Sequence, residues 1–155
     1  MPPRVQPDND PYDLQRFVDA QAAVFGTVQA ELSAGRKRSH WMWFIFPQLR
    51  GLGRSPMAHQ YGITGLGEAT AYLEHPVLGS RLRQCTQLVN QVEERSITQI
   101  LGSPDDLKFH SSMTLFSRAT ADNGPFLAAL TLFFDGQVDR LTVERLSGPE
   151  RRAPT

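Results

Sequence analysis

Apolar residues recur at steps of three and four along most of this chain, which is the spacing of one face of an α-helix. One stripe, from Leu14 to Leu32, predicts a helix of roughly five turns, with Asp13 as its N-cap and Gly35 as its stop. Two further stripes run from Leu78 to Val92 and from Phe126 to Phe134. No segment alternates apolar and polar residues over the length of a half-buried strand. The sequence therefore predicts an all-α fold.

Prolines and small polar residues mark further helix starts. Ser55-Pro56 and Ser103-Pro104 both have the form of a cap followed by proline, and Pro76 is expected to be the first residue of the helix that carries the second stripe. Ser96 opens a short apolar segment that Gly102 ends. Together with the stripes, these signals predict about six to seven helices.

The length of the chain, 155 residues, suits one domain with a single core. We predict a compact helical bundle over residues 12–146, after a disordered lead-in at 1–11 and before a frayed tail at 147–155. The single cysteine, Cys85, excludes a disulfide framework and favours a cytoplasmic protein. The longest apolar run, Trp41 to Phe46, is far short of the ~20 residues of a membrane helix, so no membrane partner is expected.

Charge is unevenly distributed, although the 16 basic and 16 acidic side chains sum to zero. Residues 32–67 contain five arginine and lysine side chains and no carboxylate, so this interval carries +5 and the rest of the chain −5. Such segregation concentrates anions locally even on a neutral protein. Aromatic residues are interleaved with these bases, and the two kinds together are suited to a phosphate and a planar ring. The candidate ligand-binding residues are Lys37, Trp41, Trp43, Gln48, Arg50, Arg54 and Tyr61.

The same interval has simpler interpretations, which stay open. Gly51-Leu52-Gly53-Arg54-Ser55-Pro56 has two glycines but not the remaining residues of a phosphate-binding loop. Its backbone N–H groups could approach an anion, or its glycines could serve only to allow a tight turn. The run from Trp41 to Phe46 could equally be a core segment flanked by solvated bases.

Candidate catalytic residues come from two other places. Lys108, Ser111 and Ser112 fall on one face of a predicted helix, and a lysine and a serine at this spacing can act as base and nucleophile. His40 stands between the basic and the aromatic run and is the histidine best placed as a general acid or base. The candidates are thus His40, Lys108 and Ser112; the alternative is that the hydroxyls bond carbonyls one turn back. The histidines show no spacing typical of a metal site, so none is predicted.

Several long stretches resemble the bacterial family known as domain of unknown function 1810. They are DLQRFVDAQ from Asp13, GRKRSHWMWFIFPQLRGLGRSPMAHQYGI from Gly35, EATAYLEHPVLGSRLRQC from Glu68 and GSPDDLKFHSSMTLF from Gly102. The resemblance implies a mainly helical single domain, but no activity, cofactor or catalytic residue. Members are sometimes described as calpastatin-like. The inhibitor of that name is a disordered repeat protein, and this chain has neither its repeats nor its composition, so we reject that function.

Three functions are consistent with the basic interval. We favour a cytoplasmic protein that binds an anionic, nucleotide-like small molecule and that could also convert it chemically. The alternative is a non-enzymatic module that docks an acidic partner protein through the same segment. Nucleic-acid binding is least expected, because the aromatic run is better suited to a core than to stacking bases. No particular cofactor, reaction or oligomeric state is predicted.

Overall fold

The computed structural model of the protein describes residues 9–147, which fold into α-helices joined by loops. Seven of the helices in this range have eight residues or more, in agreement with the six to seven predicted, and three are shorter. Between residues 9 and 147 the chain forms no β-strand, only one isolated parallel bridge between Leu49 and Ile63. The all-α fold class is therefore confirmed. The helices are α1 (Gln15–Ala22), α2 (Phe25–Ser33), α3 (Met42–Ile45), α4 (Pro56–Gln60), α5 (Leu66–Glu74), α6 (Leu78–Asn90), α7 (Ile97–Leu101), α8 (Asp105–Ser117), α9 (Gly124–Phe134) and α10 (Arg140–Ser147).

The first apolar stripe belongs to two helices, so the prediction of one helix from Leu14 to Leu32 was wrong. α1 ends at Ala22 and α2 begins at Phe25, and the Val24 N–H donates to the Gln21 carbonyl across a tight turn. Val24, Phe25 and the following glycine have low helix propensities, which makes this the weakest place in the stripe. Both helices still bury the stripe. The predicted lead-in 1–11 and tail 147–155 lie almost wholly outside the described residues.

The N-terminal cap of α1 also differs from the prediction. Asp13 has a left-handed backbone with φ of 53° and does not cap the helix. The Asp10 carboxylate instead accepts from the Leu14 N–H at 2.8 Å and from the Gln15 N–H at 3.0 Å. The predicted stop of α2 at Gly35 is confirmed. Gly35 has φ of +76°, and its N–H donates to the Leu32 carbonyl, as a glycine C-cap requires.

The four predicted starts of later helices all lie within two residues of an observed start, and two of the caps are confirmed. Ser55 accepts from the Ala58 N–H, and Ser96 forms a capping box with Gln99. α8 begins at Asp105, directly after Ser103-Pro104, but without a side-chain cap from Ser103. α6 begins at Leu78, two residues after Pro76, and the Gly79 N–H already donates to the His75 carbonyl. There the His75 ring caps the helix: its Nδ1 accepts from the Val77 N–H at 3.1 Å and the Leu78 N–H at 3.2 Å.

The His75 cap is expected to make the stability of the fold depend on pH. Burial lowers the pKa of His75 from its ordinary value of 6.5, against the opposing effect of the Asp10 carboxylate. The stabilisation by this cap is therefore fully present above about pH 6.5, where His75 is neutral in the unfolded chain as well as in the folded protein. It is lost as the pH falls further, because the unfolded chain takes up the proton more readily than the folded protein. Urea unfolding at about pH 7.5 and about pH 5 should show a loss of about 1 kcal/mol from this residue, the usual worth of an N-cap.

Asparagine provides the matched control for this cap. His75→Asn keeps a side-chain acceptor that does not titrate, so the difference in stability between the two pH values should shrink. The exposed His59, changed to Asn, should leave that difference as it is in the wild type. An equal pH dependence in the wild type and His75→Asn would contradict the assignment.

Helix α8 lies at the centre of the core. It packs against α5, α7, α9 and α10, and its Phe109, Met113 and Phe116 are fully buried. Cys85 of α6 is buried as well, and burial raises its pKa to about 12 despite the nearby Arg81, so this thiol is a packing group rather than a nucleophile.

The aromatic run contributes to both the core and the surface. Trp41 and Phe46, at its two ends, are each 1% exposed, so the core interpretation holds for them. Trp43, between them on the short α3, is only half-buried, as is Gln48 just after the run. The run therefore anchors a stretch of surface on which Trp43 and Gln48 are reachable.

A buried ion pair fixes the chain near this surface. Arg16 of α1 contacts the Glu68 carboxylate of α5 at 3.0 Å, and its guanidinium also donates to the carbonyls of Gln60 and Gly62. Glu68 is 2% exposed and accepts in addition from the N–H and the hydroxyl of Thr64. These contacts hold α1, α5 and the segment before α5 together.

Two further observations bear on the class of protein. None of the helices between residues 9 and 147 is long and apolar enough to cross a membrane. In the same range, no three His, Cys, Asp or Glu side chains come together in a way that could hold a metal ion.

Candidate functional site

The basic segment that follows α2 is organised by one carboxylate, that of Glu31. The Glu31 side chain accepts from the Arg38 and Ser39 N–H groups, from the Ser39 hydroxyl and, at 2.9 Å, from the Trp41 indole N–H. Burial alone would raise the pKa of Glu31, but these hydrogen bonds outweigh it and lower the pKa to about 2. The loop from Arg36 to Trp41 is therefore held in one conformation.

The charged side chains of this loop differ in their exposure and in their ion pairing. Arg36, Arg38 and His40 are exposed. Lys37 turns inward: its side chain is 7% exposed, and its ammonium lies 2.8 Å from the Asp105 carboxylate at the start of α8 and donates to the Ser39 carbonyl. Lys37 is thus already neutralised, whereas the two arginines face solvent.

Asp105 joins the basic segment to the α8 candidates. Its second carboxylate oxygen lies 3.7 Å from the Lys108 ammonium, so two lysines share one carboxylate. Each lysine also lies over an indole ring, at 5.0 Å from the centroid: Lys37 over Trp41 and Lys108 over Trp43. The only two tryptophans of the chain therefore meet its only two lysines here, and the group carries one net positive charge.

Beside this group is a narrow cleft. Four of the predicted residues line it, together with apolar neighbours Met42, Phe46 and Ala58; the four are Trp43, Gln48, Tyr61 and Lys108. The free space between them is about 10 Å³, enough for one water molecule. The cleft is thus a formed but closed site, and any larger molecule requires part of its wall to move.

The indole of Trp43 provides the clearest sign of a missing partner. Its Nε1 is buried and finds no hydrogen-bond acceptor among residues 9–147. A buried donor left unpaired costs about 1–3 kcal/mol, so such groups are rare in folded proteins and mark places where a water or a ligand is bound. Trp41 shows the contrast, since its Nε1 is satisfied by Glu31.

The glycine segment, from Gly51 to Pro56, lies in sequence between Gln48 and Ala58, which both line the cleft, but it does not line the cleft itself. Just before it, the Arg50 N–H donates to the Ile63 carbonyl at 2.8 Å beside the bridge noted above. Gly51 has φ of +97°, as the tight-turn interpretation expects. Arg50 and Arg54 are both exposed, and neither lines the cleft.

The hydroxyls of α8 mostly follow the structural alternative. Ser111 donates to the Leu107 carbonyl and Thr114 to the His110 carbonyl, one turn back in each case. Ser112 is fully buried, and no described residue forms a hydrogen bond with its hydroxyl. Neither Ser112 nor the exposed His40 lines the cleft, so the structure does not bring the three catalytic candidates together.

Three residues of this region were absent from the predicted set. Glu31 accepts hydrogen bonds from the basic segment and Asp105 pairs with Lys37, and both carboxylates lie outside residues 32–67 in sequence. Arg145, on α10, donates from its Nε to the Arg50 carbonyl at 3.1 Å. A signal was present only for Asp105, at the start of a predicted helix; nothing local in sequence connects Arg145 to a residue 95 positions earlier.

Comparison with known proteins gives similarity without a function. The profile of a family described as "Protein of unknown function (DUF1810)" matches residues 11–146. No curated protein matches the chain. Among solved structures, the chain is similar to the crystal structure, at 1.38 Å, of the conserved hypothetical protein Rv1873 from Mycobacterium tuberculosis. The two are 61% identical, with a TM-score of 0.89 over 90% of this chain and 100% of the other.

Proposed function

The chain belongs to the DUF1810 family, whose description states no activity, and from the site alone we propose that its cleft binds a small anionic molecule of the nucleotide-like class. The observation that carries the proposal is the buried Nε1 of Trp43, which has no acceptor among residues 9–147, on a side chain that lines the cleft together with Lys108. We place this function in the cytoplasm, as the single thiol of the sequence favours.

The polar groups of the cleft are suited to an anion. The indole N–H and the ammonium are donors only, and the Gln48 amide adds a further donor. In the part of the chain that the structure describes, no carboxylate lines the cleft, and Asp105 binds Lys37 more closely, at 2.8 Å, than Lys108, at 3.7 Å. The Lys108 ammonium therefore keeps hydrogen-bonding capacity for a phosphate or carboxylate oxygen.

The apolar part of the cleft favours a planar group next to that anion. Trp43 and Tyr61 are half-buried and leave part of their rings accessible. Tyr61 is held in place by the rings of Phe17 and Phe44, at 5.6 Å and 5.4 Å between centroids. A preformed aromatic wall loses little conformational freedom when a ring packs against it.

Calorimetric titration and thermal shift with AMP, inorganic phosphate and uncharged adenosine test the proposal. AMP should bind, adenosine should bind much more weakly, and AMP at ~100 times its Kd should stabilise the fold by about 2.7 kcal/mol. Lys108→Ala removes a charged donor and should weaken AMP binding about ten- to hundredfold. Trp43→Phe should weaken it about two- to tenfold by removing a neutral donor.

The matched control is Arg38→Ala, which removes an exposed cation of the same basic segment and should leave AMP affinity unchanged. Trp43→Phe should also keep most of the stability of the ligand-free protein, because its N–H has no partner to lose. No stabilisation by any of the three compounds, or equal losses in Lys108→Ala and Arg38→Ala, would refute the proposal.

A second candidate function is supported by the exposed side chains of the loop after α2. Glu31 presents Arg36 and Arg38 on a rigid backbone, which suits docking to an acidic partner protein. The same variants separate the two functions. Docking would be lost in Arg38→Ala and at raised salt while Lys108→Ala retained it. Nucleic-acid binding is not proposed, because Trp41 and Phe46 are buried and cannot stack on bases.

A further inference from the structure

Lys37 belongs to the basic segment, but its side chain does not line the cleft, and only 7% of it is exposed. Two contacts fix its place in the fold. The Lys37 N–H donates to the Ile100 carbonyl of α7 at 2.7 Å, and the Lys37 ammonium donates to the Ser39 carbonyl. An effect of Lys37 on the cleft is therefore exerted through another side chain.

That side chain is Asp105, the first residue of α8. One of its carboxylate oxygens lies 2.8 Å from the Lys37 Nζ, and the other lies 3.7 Å from the Lys108 Nζ. Only the shorter distance is that of a hydrogen bond. The first turn of α8 also favours a negative charge at this position, because the N-terminal end of a helix dipole is positive. Asp105 is thus a charged group between two lysines, bound to the one outside the cleft.

Lys108 is left with the weaker share of this carboxylate. It lies three residues after Asp105 on the same helix, so the two side chains can come into full contact without any change of the backbone. Among residues 9–147, Lys37 and Lys108 are the only cations within ion-pair distance of Asp105. Without Lys37, the Asp105 carboxylate would therefore pair with Lys108.

We propose that Lys37 is a positioning residue of the site: it holds Asp105, keeps Lys108 free for the anion and so sets the preference of the cleft for charged ligands. With Lys37 in place, the three side chains carry one net positive charge, and it is available at Lys108. Without Lys37, Asp105 and Lys108 form a neutral pair, and the cleft offers only the neutral donors of Trp43 and Gln48. This inference rests on the proposed function for the identity of the ligand, but not for the pairing of Lys108.

Two single variants should change AMP affinity in opposite directions in calorimetric titrations. Lys37→Met keeps most of the side-chain stem and should weaken AMP binding about three- to tenfold, because Asp105 then occupies Lys108. Asp105→Asn should strengthen AMP binding by about the same factor, because the phosphate no longer competes with a carboxylate for Lys108. Uncharged adenosine should bind equally to the wild type and both variants, whereas damage to the fold would weaken both ligands.

The double variant Lys37→Met with Asp105→Asn separates positioning from direct binding. It should bind AMP at least as well as the wild type, because Lys108 again has no carboxylate to pair with. Lys37→Arg should keep most of the affinity, since a guanidinium also holds the Asp105 carboxylate. Arg38→Ala, which removes the neighbouring exposed cation, should leave it unchanged. Unchanged AMP affinity in Lys37→Met, or a double variant as weak as Lys37→Met, would overturn the inference.

The ammonium protons of the lysines test the pairing in the ligand-free protein. Because the chain has only two lysines, Lys37 and Lys108, NMR of ¹⁵N-labelled protein resolves one ε-ammonium signal for each. In Lys37→Met, exchange of the Lys108 protons with water should slow about two- to tenfold, the effect of one net hydrogen bond. Asp105→Asn should not slow it. Unchanged exchange in Lys37→Met would overturn the inference even if AMP binds. Slowed exchange without AMP binding would support the pairing and refute the proposed function.

Discussion

Glu31→Ala should destabilise the fold by about 3–5 kcal/mol, because it removes a carboxylate that accepts from four donors, one of which lies in the core. The most costly of these partners is the Trp41 indole N–H, which lies in the core. Urea unfolding measures the loss. Glu31→Gln, which keeps the shape and one acceptor oxygen, should cost less than the alanine variant. Equal stabilities of the wild type and Glu31→Ala would show that the loop is not held by this residue.

In the wild type, lowering the pH should cause part of the loss of stability that is expected for Glu31→Ala. The pKa of Glu31 is lowered from 4.5 to about 2, the hydrogen bonds outweighing the opposing effect of burial. The folded state therefore holds the carboxylate charged, and the stabilisation is fully present above about pH 4.5 and lost as the pH falls towards 2. The lowered pKa corresponds to about 3 kcal/mol at most, reduced by solvent screening. Glu31→Gln should lack this part of the acid dependence, and an unchanged acid dependence would contradict it.

The second large effect is expected at the buried ion pair. Arg16→Ala should destabilise the fold by about 3–5 kcal/mol, because it leaves the Glu68 carboxylate, 2% exposed, without its counter-charge. The carbonyls of Gln60 and Gly62 lose their donor in the same step. Arg16→Lys should recover little, since one ammonium cannot reach acceptors arranged around a planar guanidinium.

A double variant separates the ion pair from general damage. Arg16→Met together with Glu68→Leu replaces both charges with apolar groups and should recover much of the stability that Arg16→Ala loses, as measured by urea unfolding. The exposed Arg140→Ala serves as the arginine control and should change stability by less than about 0.5 kcal/mol. A double variant as unstable as Arg16→Ala would show that the apolar pair does not replace the charges.

The fold class could be predicted from the sequence because helical periodicity and caps are local. Gly35 and Ser96 each act within a few residues, and both were placed correctly. The break between α1 and α2 was missed because the apolar spacing continues through Val24 without interruption. The caps at Asp10 and His75 were missed for related reasons. Asp10 lies four residues before the apolar stripe that it caps, and His75 stands directly before a proline that is the more obvious signal.

Some residues of the site could be predicted from the sequence, but their contacts with one another could not. Trp43, Gln48, Tyr61 and Lys108 are all among the predicted site residues, and the structure brings these four to one cleft. The neutralisation of Lys37 could not be predicted, because Asp105 belongs to a helix far along the chain. Long-range contacts of this kind are set by how the helices pack, and single-sequence patterns contain no information on that packing.

The arrangement of the two lysines has a practical consequence for chemical labelling. Lys37 is almost entirely covered, with 7% of its side chain exposed, whereas Lys108 is 22% exposed at the cleft. An amine-directed reagent should therefore modify the Lys108 side chain in preference to Lys37 in the native protein. A dye attached there would lie close to the Trp43 indole, whose centroid is 5.0 Å from the ammonium, and would accept excitation energy from both tryptophans of this group.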